Sequence, residues 1–318
     1  MNSKEKKSRT IIIIVASVIL VISLGYLAYY LIQEKRAENV NDELANRHTD
    51  TVMITQETTT VPETTVPEIT TTTEATTVLE PLVELDSMKG FIEDNPHTAG
   101  WITVGGTSID NVVVQCEDND FYLNHDFYGR SSQPGTVFAD FRCVVNDYGF
   151  RQSDNIILYG HNQANGTMFG TLQKYKITKQ NTKKFDFYLQ HPTFTFSNLY
   201  EEYTYKIIAL FVCEVDPKHT RDGVIFDYQN YIRFGSKEYT YEQFMQNVTE
   251  RSEIITGVDV QKGDQFLTLS TCSNEFEPSR FIVIGRKVRD GESPEVDTSL
   301  AKLNPDAKEP DWNFIYGN

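Results

Sequence analysis

Apolar positions fall along this chain in three regimes. From Ile11 to Ile32 they are continuous: the 22 residues IIIIVASVILVISLGYLAYYLI carry no charge. A helix of that length rises about 1.5 Å per residue and spans roughly 33 Å, enough to cross a bilayer's hydrocarbon core. A cleavable signal peptide has an apolar stretch of only about 7–15 residues and a small-residue cleavage site, so the pattern predicts an uncleaved anchor. The alternative, a buried core helix, fits the unbroken run and its basic flank less well. From residue 33 to 81 apolar positions are isolated, and TVMITQETTTVPETTVPEITTTTEATTVLEP is mostly Thr, Pro and Glu. That composition buries too little apolar surface to offset chain entropy, which predicts a disordered stalk.

From residue 82 to 289 apolar and aromatic residues return in short runs between turn residues, enough chain for one sizeable domain. VELDSMKGFIEDNPHTAGW places Leu85, Met88, Phe91 and Ile92 on one face of a short helix ending near Asn95-Pro96. WITVGGTSIDNVVVQC reads as a hairpin turning at Gly105-Gly106. GTVFADFR, DNIILYGH, KKFDFYLQ, TFTFSNL, EYTYKIIALFVCEV, QFLTLSTC and RFIVIGRKV read as further strands. The fold class is therefore mainly β, a closed barrel or a sandwich. TMFGTLQKYK reads as a helical turn. A long connection from Pro217 to Glu253 carries a second amphipathic helix with Tyr241, Phe244, Met245 and Val248 on its apolar face. Residues 290–318 are polar and acidic but end on Trp312, Phe314, Ile315 and Tyr316. They form either a flexible tail or a segment that docks, and the pattern does not choose.

Charge changes the picture in two places. Lys4, Lys6, Lys7 and Arg9, in the basic segment 1–10, predict a cytoplasmic N-terminus, with everything after Gln33 outside. The chain as a whole has 29 Lys and Arg against 45 Asp and Glu, net −16, with no basic patch for a nucleic acid. Four cysteines are too few for a disulfide scaffold in a domain of this size. A Cys116–Cys143 bridge is compatible with an exported protein, but spacing alone does not establish it.

Candidate chemistry centres on FLTLSTCSNEFEPSRFIVIGRKV, residues 266 to 288, where Cys272 closes one strand and Arg280 opens the next. Cys272 is either a small core residue or a nucleophile, and Arg280 either a solvated strand residue or a donor to a developing oxyanion. A thiol nucleophile needs a proton partner. His48 lies in the expected stalk, and His97, His191 and His219 lie in turns or polar loops, which leaves His125 and His161. His161 follows the apolar strand NIILYG and would sit at a strand end as Cys272 does, which favours it over His125 without excluding the latter.

TLSTC, an arginine on the following strand and YGHN upstream, behind an N-terminal anchor, together resemble the sortase family of Gram-positive surface transpeptidases. GWITVGGTSIDNVVVQCEDNDFYLNHDFYGRSSQPGTVFAD resembles class B sortases in particular, and the likeness covers roughly residues 83 to 289. It implies an eight-stranded closed β-barrel, with an N-terminal helix and a helix-bearing insertion before the cysteine strand. It implies Cys272 as nucleophile, His161 as general acid/base and Arg280 as oxyanion or substrate-positioning residue. Asn119, Leu123, Tyr231, Ile232 and Ser270 match positions lining the sorting-signal groove, although Tyr231 and Ile232 also read as ordinary core residues. Some class B members place an acid directly after the cysteine; here Ser273 and Asn274 stand there and Glu275 follows.

The implied reaction joins a surface protein bearing a C-terminal sorting signal to an amine, through a thioester on the cysteine. The expected acceptor is an amine of a peptidoglycan precursor, with a pilin lysine as the alternative. The expected location is a single-pass membrane protein with its catalytic domain outside. No cofactor or metal is required, and the acidic CEDND reads as a solvated loop rather than a calcium site. Two further readings compete: a hydrolytic thiol protease, and a non-catalytic stalked adhesin with Cys272 merely buried.

Overall fold

The computed structural model describes residues 3–58, 82–146, 152–178 and 181–317. It begins with α1 (Ser3–Thr58), whose residues 11–29 are exposed, and this helix is long and apolar enough to cross a membrane. Residues 33–58, expected to belong to a disordered stalk, continue the helix instead. The physical reason is a stripe diluted by polar neighbours: Ala37, Val40, Leu44 and His48 recur every three or four positions on one helical face. Ala37 and Leu44 are buried, and the His48 ring stacks on Trp101 with centroids 4.1 Å apart. His48 therefore packs in a hydrophobic seam. The remainder of the expected stalk, residues 59–81, lies outside the described residues.

Next, α2 (Asp86–Asp94) buries Met88 and Phe91 against that seam and stops at Asn95 before Pro96. The barrel strands follow: β1 (Thr98–Thr103), β2 (Asp110–Val114), β3 (Phe138–Ala139) and β4 (Asn155–Tyr159). The run KKFDFYLQ, expected as a strand, forms a 3-10 turn and α3 (Phe185–Gln190). So short a run fits either period. Helical spacing stacks Phe185 on Tyr188 with centroids 6.1 Å apart and buries Tyr188 completely, and His191-Pro192 ends it.

β5 (Thr193–Ser197) and β6 (Glu202–Glu214) come next, and then the long connection containing α4 (Tyr241–Arg251). α4 starts on a reciprocal Thr240/Gln243 capping box and buries Phe244 and Val248. After β7 (Ile254–Ile255), the strands β8 (Phe266–Cys272) and β9 (Ser279–Lys287) complete the barrel. The eight barrel strands close in the order β1-β2-β3-β4-β8-β9-β6-β5. β4 and β8 are parallel neighbours, as are β2 and β3; the other barrel pairs are antiparallel.

The C-terminal segment docks. β10 (Lys302–Leu303) pairs with β7, and α5 (Trp312–Tyr316) lies against the barrel with Trp312 and Ile315 packed on the core. Cys116 and Cys143, the suggested bridge, are both free thiols.

Candidate active site

One register relationship builds the site. β4 runs parallel to β8 with Ile156 opposite Leu267 and Tyr159 opposite Ser270. Two residues further along each strand bring His161 level with Cys272. The end of β4 is fastened there: Gly160 N–H donates to the Ser270 carbonyl at 3.2 Å, and Thr271 Oγ1 donates to the Gly160 carbonyl at 2.7 Å. Gly160 is required by close approach, because a Cβ would fall 2.7 Å from the Phe169 ring. On the other side of β8, Arg280 is paired directly with Cys272 across the antiparallel ladder to β9.

These elements open on one cavity of about 320 Å³, lined by His161, Cys272 and Arg280 together with Asn119, Leu123, Tyr159 and Ser270. The sequence left His125 and His161 open as partners of Cys272, and the cavity contains His161. His125 instead stacks on Phe121, 4.0 Å between ring centroids. His161 Nε2 lies 3.0 Å from the Leu123 carbonyl oxygen. A carbonyl only accepts, so this contact places a proton on Nε2. The Cys272 carbonyl is held by the side-chain amides of Asn162 at 2.9 Å and Gln173 at 3.2 Å. Arg280 donates one N–H to the Ser279 carbonyl at 3.0 Å and lines the cavity.

The other three thiols sit in different surroundings. Burial pushes Cys143 and Cys213 each up to about 12, which keeps them protonated, and partial burial raises Cys116 as well. Cys272 is the cysteine at the cavity.

Of the five residues matched to a substrate groove, Asn119, Leu123 and Ser270 line the cavity and Tyr231 and Ile232 do not. Tyr231 packs among Phe226, Tyr239 and Phe244, and Ile232 is equally buried. Their carbonyls accept from the Asn155 side chain and backbone, both at 3.1 Å, so this pair anchors the start of β4.

One polar wall escaped the sequence reading. Asp140, fully buried, accepts from Asn119 Nδ2 at 3.1 Å, Tyr159 Oη at 2.9 Å and Arg142 at 2.8 Å. Burial alone would raise its pKa, but the hydrogen bonds from Arg142 and Tyr159 outweigh that and keep the carboxyl below its ordinary value. Gln229 then donates to Tyr159 Oη at 3.1 Å, which extends the wall. The available signal was Tyr159 itself: two residues before His161 on a strand, it shares that residue's face.

A closed eight-stranded barrel with cysteine, histidine and arginine gathered at one rim cavity fits an enzyme that works through a thiol. The comparisons with known proteins agree. A family model described as the sortase domain matches residues 143–288. Sortase B of Listeria monocytogenes is 31% identical over 206 residues, which cover 64% of this chain and 74% of that protein. The structure of Clostridium perfringens sortase B superposes with a TM-score of 0.52 at 30% identity, covering 63% of this chain and 99% of its own. A Bacillus anthracis protein described as similar to sortase B gives 0.58 at 25% identity, covering 80% and 96%. The chain belongs to the sortase family and, within it, to class B. Its activity is that of a cysteine transpeptidase for the anchoring of surface proteins.

Proposed function

We propose that this chain is a membrane-anchored sortase whose catalytic domain, residues 82–289, uses Cys272 as nucleophile, His161 as general acid/base and Arg280 as oxyanion donor. The observation that carries the reading is the convergence of these three side chains on one cavity from the ends of β4, β8 and β9. Cys272 passes its thiol proton to His161, and the resulting thiolate attacks a carbonyl carbon of the sorting signal while Arg280 donates to the oxygen as it becomes negative. The peptide C–N bond breaks, and His161 gives its proton to the departing amine, leaving a thioester. An incoming amine then loses a proton to His161, attacks the same carbon and expels the thiolate, forming a new amide. Asn119, Leu123 and Ser270 line the path of the sorting signal.

Residues 11–32 are the anchor, and the basic segment before them stays in the cytoplasm. The barrel then stands outside, where anchored precursors emerge, and a peptidoglycan amine is the acceptor. Mass spectrometry of products from a panel of sorting-signal peptides with added amines tests the reading. An amide made by the unaltered chain and lost in Cys272→Ala supports it, and the best acceptor separates peptidoglycan amines from a pilin lysine. Cleavage that yields only free acid with every amine contradicts transpeptidation.

A further inference from the structure

The turn between Cys272 and Arg280 is short and heavily held. Residues 273–278 join the last residue of β8 to the first of β9. From the barrel side, Lys176 Nζ donates to the Ser273 carbonyl at 2.8 Å and pairs with the Glu275 carboxylate. The opposite side is held by chain outside the matched sortase domain, which ends at residue 288.

That extra segment is tied down stepwise. Glu292 pairs with the buried Arg286 and with Lys206, the latter at 2.7 Å. β10 adds to β7, Asn304 Nδ2 donates to the Ser252 carbonyl at 2.8 Å, and Lys308 N–H donates to the Glu250 carbonyl at 2.7 Å. Asp311 pairs with Arg221 at 2.5 Å. The segment ends on the turn itself. The Trp312 ring meets Phe276 edge-on with centroids 5.9 Å apart, and Tyr316 Oη donates to the Glu275 carbonyl at 2.6 Å. Phe276 is thereby enclosed between Trp312 and His219, whose ring lies 5.0 Å away.

We infer that residues 290–317 form a strap that positions the catalytic turn, with Trp312 and Tyr316 as positioning residues for Cys272 and Arg280. Neither residue lines the cavity, so neither is placed to touch substrate. A displacement of about 1 Å at a reacting group can cost about a hundredfold in rate, so the contacts that hold this turn bear on the reaction. The strap closes the face of the turn that the barrel leaves uncovered. This inference rests on the reading of Cys272 and Arg280 as the reacting pair.

Full-length Tyr316→Phe, Trp312→Ala and Trp312→Phe test it, by hydrogen exchange of the amides in residues 273–279 alongside kcat, KM and Tm. Tyr316 is exposed, so removing its hydroxyl should leave the fold intact. Losing one such hydrogen bond should speed exchange at the turn about fivefold. Tyr316→Phe should lower kcat severalfold at nearly constant KM and Tm, and Trp312→Ala should lower kcat severalfold at nearly constant KM with some loss of Tm from its packing, while Trp312→Phe partly restores exchange protection, kcat and Tm. Unchanged exchange at the turn, or faster exchange with unchanged kcat, would overturn the inference. Full activity in Cys272→Ala would overturn the reading of the site instead, and the exchange measurement needs no turnover to decide the strap.

Discussion

Cys272 and Arg280 stand directly opposite each other in the β8–β9 ladder, and on its other side Arg280 is paired with the buried Cys213 of β6. The arginine is thus fixed by two neighbouring strands and lines the same cavity as Cys272. Arg280→Ala should lower kcat by about two to three orders of magnitude, the range for loss of an oxyanion donor. Arg280→Lys should recover only part of it, because an ammonium lacks the planar fork. Steady-state kinetics with a sorting peptide measure both.

Asp140 touches three cavity-wall or supporting side chains at once, so its loss should register in both stability and activity. Asp140→Ala removes the acceptor shared by Asn119, Tyr159 and Arg142. Denaturant unfolding should show a cost of about 2–3 kcal/mol, typical of hydrogen bonds to a buried charge. KM for the sorting peptide should rise as the wall loosens. An unchanged midpoint together with an unchanged KM would contradict this role.

Tyr231 and Ile232 separate two expectations cleanly. Their burial makes them core residues that support β4, so Ile232→Ala should destabilise by about 2–4 kcal/mol with little change in KM. If they lined the groove, KM would rise with stability nearly intact. Thermal unfolding and kinetics on the same variant distinguish the two.

Glu292 makes stability depend on pH. Its hydrogen bonds from Arg286, then from the Arg289 backbone and Lys206, outweigh burial and hold its carboxyl well below the ordinary value of 4.5. A folded-state pKa below the unfolded one stabilises through the ionised form. That contribution is complete above about pH 4.5 and is lost as pH falls through the more acid range. Glu292→Gln should therefore lower Tm by a few degrees at pH 7, and the gap to the unaltered chain should narrow toward pH 3.

Leu44 reports on the helix that replaces part of the expected stalk. It is almost wholly buried against Trp101, Val112 and their neighbours. Leu44→Ala should cost about 2–3 kcal/mol and expose residues 33–58 to proteolysis. A protein in which these residues were a loose stalk would show neither change.

The barrel was legible because its strands alternate or run apolar between clear turn residues, and the sharing of one cavity by Cys272, His161 and Arg280 because each stands at a strand end. The parallel register that levels His161 with Cys272 was not, since it joins segments more than a hundred positions apart and leaves no local trace. Residues 33–58 were misread for a related reason: four packing positions, Ala37, Val40, Leu44 and His48, are too few to lift the mean of a polar segment. KKFDFYLQ failed because eight residues satisfy both a period of two and one of 3.6. Asp140 carries no motif at all, and its role appears only when Asn119, Arg142 and Tyr159 converge on it.

The most direct test is intact-protein mass spectrometry of the full chain with a sorting-signal peptide and no added amine, followed by peptide mapping. A covalent adduct with the mass of the peptide's N-terminal fragment should form on the segment containing Cys272. It should disappear on adding an amine and be absent from Cys272→Ala. An adduct on Cys116, or peptide cleavage that persists in Cys272→Ala, would contradict the assignment of the nucleophile.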